Sequence, residues 1–162
     1  MAPASIRTAS AQTAPMLDHS LALGTMVLTL DGILPVEFLS PGDRIITRDG
    51  ATRLASIEVS VVQNARVIRI AAGTLGIDRP EGDVIVLPDQ PILIRDWRAK
   101  AMYGTTTAMV PAARLADGAY IRAEVVDEMR FYTLRLTKEA VIYAGGLELA
   151  TAAAYAAAYA AV

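Results

Sequence analysis

The sequence has no cysteine and a single histidine, His19, among its 162 residues. Without cysteine the chain cannot form a disulfide, a thiolate metal site or a thiol nucleophile. A zinc site needs several ligands, and carboxylates alone rarely supply them. We therefore expect neither a bound metal nor another cofactor.

Long apolar runs and blocks of like charge are also missing. No run approaches the roughly 20 apolar residues that cross a bilayer, and the first 19 residues lack the continuous apolar segment of a secretory signal. The 15 basic and 17 acidic side chains are dispersed along the chain, which disfavours nucleic acid or an anionic membrane as a partner. These absences predict a cytoplasmic protein, and a protein partner of unknown identity stays open.

Hydrophobic residues make up 54% of the sequence, which at this length predicts one folded domain. Residues 1–19 are rich in Ala, Ser, Thr and Pro and are interpreted as a flexible leader or linker. The domain is expected at 20–151, with an Ala-rich C-terminal helix or tail at 152–162. Because alanine is the best helix former, the helix is predicted from Leu147 onward, with Tyr155 and Tyr159 on one face.

The pattern between these ends is typical of an all-β protein. Residues 20–50 hold three short apolar runs separated by turn residues such as Asp31-Gly32 and predict a β-meander. Gln63-Asn64 is expected to be a turn between two strands, and short helical segments are predicted at 96–103 and 111–115. Further strand-like runs occur at 54–62, 65–72, 83–87, 91–95, 119–126, 129–136 and 140–144.

One turn motif occurs twice in the sequence. The pattern Leu-x-x-Gly-x-x-Ile is present at 39–45 and again at 115–121, and each copy leads into a strand-like run. Repetition of the same turn into a buried strand indicates a fold built from two related β-subdomains.

Five segments in order give the chain a family resemblance: GTMVLTLDG, PVEFLSPGDRIITRDG, VIRIAAGTLGIDRPEGDVIVLPDQPILIR, MYGTTTAMVPAARL and FYTLRLTKEAVIYAGGLE. With them the sequence resembles the Hint (Hedgehog/intein) domain family of bacterial type, from residue 20 to about 151. The resemblance implies an all-β, pseudo-two-fold disc of long hairpins. It also implies self-processing, in which a Cys or Ser at the first residue attacks the preceding peptide bond while histidines move protons.

The positions that carry this chemistry in the family are substituted here. Ser20 stands at the nucleophile position, where bacterial members usually have Cys. Leu87 and Gln90 stand at the hydroxyl and histidine positions of the family's Ser/Thr-Pro-x-His stretch. Thr133 and Glu139 replace two further histidines. A hydroxyl is a weaker nucleophile than a thiolate and needs an adjacent base, and Gln cannot transfer a proton near pH 7.

Three hypotheses follow from this resemblance. The first is a catalytically degenerate Hint-like domain that serves as a structural or protein-interaction module. The second is slow autoproteolysis at His19-Ser20 by an N–O acyl shift, with Gln90 orienting the amide and Asp89 or Glu139 as the acid. The third is a binding module that uses the vacated cleft near Ser20, Gln90 and Glu139.

Overall fold

The computed structural model describes residues 5–9 and 19–153, and this part of the chain is an all-β structure with one short α-helix, α1 (Trp97–Tyr103). Two 3₁₀ turns lie at Val36–Phe38 and Ala112–Leu115. No helix in these residues is long and apolar enough to span a membrane. The strands are β1 (Ser5–Ala9), β2 (Ser20–Ala22), β3 (Met26–Thr29), β4 (Gly32–Pro35), β5 (Arg44–Thr47), β6 (Gly50–Ile70), β7 (Val84–Val86), β8 (Pro91–Ile94), β9 (Ala108–Pro111), β10 (Ile121–Leu136), β11 (Val141–Ala144), β12 (Leu147–Ala150) and β13 (Ala152–Ala153).

The two longest strands, β6 and β10, form the central antiparallel ladder of the domain. Predicting a turn at Gln63-Asn64 was wrong, because β6 continues through both residues. Asn64 does have a positive φ of 49°, a conformation that Asn tolerates better than most residues. β6 is paired with β10 on both sides of Asn64: Gln63 pairs with Glu128, and Ala65 pairs with Val126. The asparagine therefore bends a continuous strand where its sequence suggested a reversal.

Strand pairing closes a ring around one end of this ladder. β10 pairs with β2, β2 pairs with β7, and β7 pairs back to β6. Alternation along β10 sends Tyr132 and Leu134 into the main core and Phe131 into a smaller apolar cluster on the opposite face. Every second residue of β10, counted from Phe131, points to the same face as Phe131. The β2 residues that pair with these positions lie on that face too.

The two copies of the sequence repeat have the same local structure, as expected if the fold is built from two related subdomains. In each copy a proline with φ −58° precedes a 3₁₀ turn, a glycine has a positive φ, and the leucine and isoleucine are buried. The turn in each copy is hydrogen-bonded to the residue that immediately precedes an earlier strand: the Val36 N–H donates to the Thr25 carbonyl before β3 at 2.8 Å, and the Ala112 N–H donates to the Gln90 carbonyl before β8 at 3.0 Å. Between the halves, Leu21 pairs with Val86.

The predicted short helices are both present. α1 begins after Asp96, whose carboxylate accepts a hydrogen bond from the Arg98 N–H at 3.0 Å, and ends at Gly104 with φ 71°. These are the usual N-cap and C-cap chemistries. The predicted helical segment at 111–115 is the second 3₁₀ turn.

The predicted C-terminal helix from Leu147 is wrong for the residues that the structure describes. Gly145 and Gly146 both have positive φ, which makes the two-residue turn of a β-hairpin. Pairing of β12 with β11, together with burial of Leu147 and Leu149, outweighs the helix propensity of the alanines. Tyr155 and Tyr159 lie outside the described residues.

The interpretation of residues 1–19 as a flexible leader does not hold at Ser5–Ala9. These residues form β1, which pairs in parallel with Glu58–Val62 of β6. The stretch of β6 that they meet lies between its pairings to β5 and β7. Strand addition at this open edge orders five residues whose composition alone carries no such signal.

Candidate functional site

The first predicted site residue, Ser20, opens β2 and lies directly opposite Thr133 of β10. Their hydroxyl oxygens are 2.6 Å apart and hydrogen-bonded, and either hydroxyl can donate. Ser20 is 1% and Thr133 is 6% exposed. The structure therefore brings together two positions that are 113 residues apart in the sequence and that the resemblance assigns to one site.

Leu87 lies on the side of β2 opposite to Thr133, because β2 is placed between β10 and β7. Because Leu21 pairs with Val86 in an antiparallel ladder, the register continued by one residue places Leu87 opposite Ser20. Leu87 packs against the smaller apolar cluster with Ala22 and Phe131. A hydrocarbon side chain thus stands beside Ser20 at the position to which the resemblance assigns a hydroxyl.

Gln90 is fully buried and is used as a structural donor. Its Nε2 donates to the carbonyls of Pro91 at 2.9 Å and Ala150 at 3.0 Å. The reversed amide orientation would set Oε1 against two carbonyl oxygens, so these contacts fix the assignment. Oε1 is buried without a hydrogen-bond donor in the described structure. Gln90 therefore links the segment after β7 to β12 by hydrogen bonds. Its amide provides no group that ionises near neutral pH.

Glu139 does not join these residues. It is exposed in the connection between β10 and β11, and within residues 5–9 and 19–153 it makes no hydrogen bond to Ser20, Gln90 or Thr133. Since Ser20 and Gln90 are buried, the three residues also do not line an open cleft in common. The hypothesis of a binding module built on them loses its structural basis.

Sequence reasoning missed an ion pair on the same face of the sheet. Glu58 of β6 lies opposite Thr133, and Arg135 lies two residues along β10. The carboxylate of Glu58 and Nε of Arg135 are 3.6 Å apart, and both side chains are largely buried. The alternation of charged and apolar residues in β6 and β10 indicates a shared face, but only the register of the ladder places Glu58 beside the Ser20–Thr133 pair.

Both ends of the domain meet along β10. One edge of β10 is taken up by β6, so β2 and β13 share the other edge. Ser20 lies opposite Thr133 and Ala152 lies opposite Arg135. The two partners are two residues apart, which is roughly 7 Å along the strand.

A separate cavity of about 450 Å³ lies beside β2 and β3. Its lining includes the apolar side chains of Leu23, Met26 and Ile33 together with Arg69 and Glu81. None of the predicted site residues lines this cavity. This cavity is therefore lined mainly by apolar side chains and does not include the Ser20 hydroxyl.

The arrangement has limited capacity for proton transfer. In the described part of the chain, the one side chain hydrogen-bonded to Ser20 is a second hydroxyl, which is no base near neutral pH. His19 lies in the turn that immediately precedes β2. No group of three or more His, Asp or Glu side chains among the described residues could hold a metal ion.

Comparison with known proteins identifies the fold. The ring formed by β10, β2, β7 and β6 belongs to a β-fold of the intein-like class. The family model described as "Hint domain" matches residues 19–154, and the chain belongs to this family. No curated protein matches the sequence.

Solved structures agree in fold at low sequence identity. A bacterial intein-like domain from Clostridium thermocellum has a TM-score of 0.57 and 15% identity, covering 82% of this chain and 98% of that one. A DnaB intein from Synechocystis has a TM-score of 0.54 and 9% identity over 82% and 98%. The gp41-1 intein has a TM-score of 0.53 and 12% identity over 80% and 96%. The predicted Hint-like, all-β fold is confirmed.

Proposed function

We propose that this Hint domain has lost self-processing and acts as a structural or protein-interaction module. The observation that carries the proposal is the buried hydrogen bond between Ser20 and Thr133. It places the hydroxyl of the nucleophile position against another hydroxyl, and the flanking Leu87 is apolar. Every other family position for proton transfer holds a residue that does not titrate near pH 7 or lies exposed elsewhere.

The acyl shift makes demands that this site does not meet. The Ser20 Oγ must lose its proton as it bonds to the carbonyl carbon of His19, and the breaking C–N bond must deliver a protonated nitrogen. Gln90 has no proton to give, since its amide does not ionise near neutral pH. Members of a catalytic unit act together, so one surviving hydroxyl retains little of the activity.

An exposed apolar surface supports the interaction role. Leu23, Met26 and Ile33 are all exposed, and all three line the 450 Å³ cavity beside β2 and β3. Apolar side chains gathered at a concave surface are typical of protein or ligand contacts. The surface lies on the strands that immediately follow Ser20, so a partner bound there would contact the first subdomain.

Slow cleavage at His19-Ser20 is the alternative function. Ser20 keeps a hydroxyl at the position of the nucleophile, and Glu58 lies on the same face opposite its partner Thr133. If cleavage occurs, Glu58 is better placed than the exposed Glu139 to influence it. An ester formed by Ser20 would be cut by hydroxylamine, which releases a fragment beginning at Ser20.

Intact-mass measurement separates the two functions. The purified chain is incubated with hydroxylamine and, separately, with dithiothreitol, beside the Ser20→Ala variant as a matched control. We expect a single species of full mass in every sample. A fragment beginning at Ser20 that grows with time and is absent from the Ser20→Ala variant would establish self-cleavage instead.

A further inference from the structure

A second polar cluster lies on β12 and shares no residue with the Ser20–Thr133 site. The carboxylate of Glu148 is buried and contacts three guanidinium groups. Arg95 binds it through both oxygens, with Nη2 at 2.7 Å from Oε1 and Nε at 3.1 Å from Oε2. Nη2 of Arg79 lies 3.2 Å and Nη1 of Arg48 lies 3.6 Å from the same Oε2.

The three arginines come from separate parts of the chain. Arg48 follows β5, and its N–H donates to the Val141 carbonyl at 3.0 Å. Arg95 directly follows β8. Arg79 sits in the loop between β6 and β7, where its N–H donates to Gly76 and its carbonyl accepts from Leu75. Backbone hydrogen bonds thus hold two of the three arginines at Glu148.

The positive charge of this cluster exceeds its negative charge. Three guanidinium groups face one carboxylate, and Arg95 alone already binds both of its oxygens. The acidic side chains of the neighbouring loop, Asp78, Glu81 and Asp83, form no ion pair with the three arginines within the described residues. Asp83 instead accepts a hydrogen bond from the Ala72 N–H. If Glu148 is ionised, the cluster carries two uncompensated positive charges.

Unused hydrogen-bond donors accompany the excess charge. Nε of Arg79 is buried and has no acceptor in the described structure. The side chains of Arg48, Arg79 and Arg95 are 38%, 28% and 42% exposed, so solvent reaches the cluster. Arginine forks match the geometry of oxyanions through paired N–H donors. The three arginines therefore converge on one carboxylate, are accessible to solvent, and have more N–H donors than Glu148 has acceptor oxygens.

We propose that Arg48, Arg79 and Arg95 bind a phosphate group. A phosphate dianion neutralises the excess charge, and its oxygens supply the acceptors that the single carboxylate of Glu148 does not. Glu148 competes with such a ligand for the same guanidinium groups. The loop carrying Arg79 packs closely on the β11–β12 turn, where a Cβ added at Gly146 would lie 2.9 Å from the Glu81 nitrogen.

Titration of the isotope-labelled full chain with inorganic phosphate tests the site. Backbone amide shifts in NMR are followed at about pH 8, where phosphate is mainly dianionic, with sodium chloride holding the ionic strength constant. We expect saturable shifts at residues 48, 79, 95 and 148. Shifts that are linear in phosphate, or that chloride reproduces, would overturn the proposal.

Three variants sharpen the titration. Arg48→Gln removes the longest of the three contacts and should weaken phosphate binding about tenfold. Arg122→Gln removes an arginine that pairs with Glu124 on β10 and should leave the affinity unchanged. Glu148→Gln should tighten binding because the competing carboxylate is gone. If Glu148→Gln does not fold, comparison of Arg48→Gln with Arg122→Gln still tests the proposal. An equal loss of phosphate affinity in these two variants would contradict the site.

The source of the phosphate is distinguished by a second ligand. Phosphoserine is titrated in parallel with inorganic phosphate under the same conditions. Equal affinity indicates a site for free phosphate, and tighter binding of the ester indicates a phosphorylated ligand. Either result supports a phosphate site, whereas the absence of saturable binding by both ligands would exclude one.

Discussion

The turn repeats of this domain and its Ser20–Thr133 pair differ in what their residues supply. At the repeats, both copies keep the proline, the buried leucine, the positive-φ glycine and the buried isoleucine. At the site, Ser20 and Thr133 are paired through two hydroxyl groups, which are poor proton-transfer groups near neutral pH. The fold needs residue size and backbone conformation, whereas the reaction needs titratable groups, so one can persist without the other.

The largest expected effect is loss of a buried isoleucine in either repeat. Ile45 and Ile121 are both 0% exposed, and Ile→Ala at such positions typically costs about 2–5 kcal/mol. We expect both variants to fall in this range when urea unfolding is measured. Ile33→Ala, at an exposed position, is the control and should change stability by less than about 0.5 kcal/mol. A marked inequality between Ile45→Ala and Ile121→Ala would break the equivalence of the two repeats.

Gln90→Ala should destabilise the domain by about 2 kcal/mol, because two buried carbonyls lose their donor. The same unfolding measurement checks it. Asp89→Ala, at the exposed neighbouring position, is the control and should have little effect. If Gln90→Ala is as stable as the native chain, the interpretation of Gln90 as a structural donor is wrong.

Removal of one hydroxyl of the site should cost about 1 kcal/mol. Ser20→Ala and Thr133→Val each leave a buried partner hydroxyl unsatisfied. The double variant should therefore lose less than the sum of the single losses. A double-mutant cycle from unfolding curves measures this coupling, and strict additivity would show that the hydrogen bond contributes nothing.

The smallest expected effect concerns the second repeat and depends on pH. Hydrogen bonds from the N–H groups of Ile121, Ala119 and Tyr120 lower the pKa of Asp117 from its ordinary value of 3.8, and a weaker contribution comes from the charge of Arg98. A lowered folded-state pKa stabilises the fold above the unfolded value, and this stabilisation is lost as pH falls through the folded value. Asp117→Ala should therefore be less stable than the native chain at pH 6, with the gap closing as the pH falls below 3.8 and through the lowered pKa of Asp117.

Unfolding of both chains across this pH range measures the gap. Asp127→Ala, on an exposed part of β10, serves as the control for loss of one carboxylate. A gap that stays constant with pH would contradict the role of the Asp117 carboxylate.

Motif order predicts the fold of this chain better than local propensity does. The Gly-containing turns were recognised because positive φ selects glycine, and they fix where strands begin. Propensity failed where tertiary pairing decides: Asn64 bends a paired strand, and Leu147–Ala150 forms one strand of a hairpin although an alanine-rich stretch follows it. Ser5–Ala9 pairs with an edge that exists only after β6 has formed.

The site was predictable only as far as the resemblance reached. It named Ser20 and Thr133, which the ladder places in contact. It also named Glu139, which lies exposed in a connection. Glu58 and the arginines around Glu148 depend on register across distant strands, and no local pattern in the sequence reveals that register.

The most direct test of the proposed loss of self-processing introduces, at three positions, the residues that the family resemblance implies for the reaction. The native chain and the triple variant Ser20→Cys, Gln90→His, Thr133→His are incubated with dithiothreitol, and their intact masses are followed over time. We predict one full-length species for the native chain and fragments of residues 1–19 and 20–162 for the variant. Cleavage of the native chain at His19-Ser20, or a folded variant that remains intact, would contradict a scaffold preserved without its chemistry.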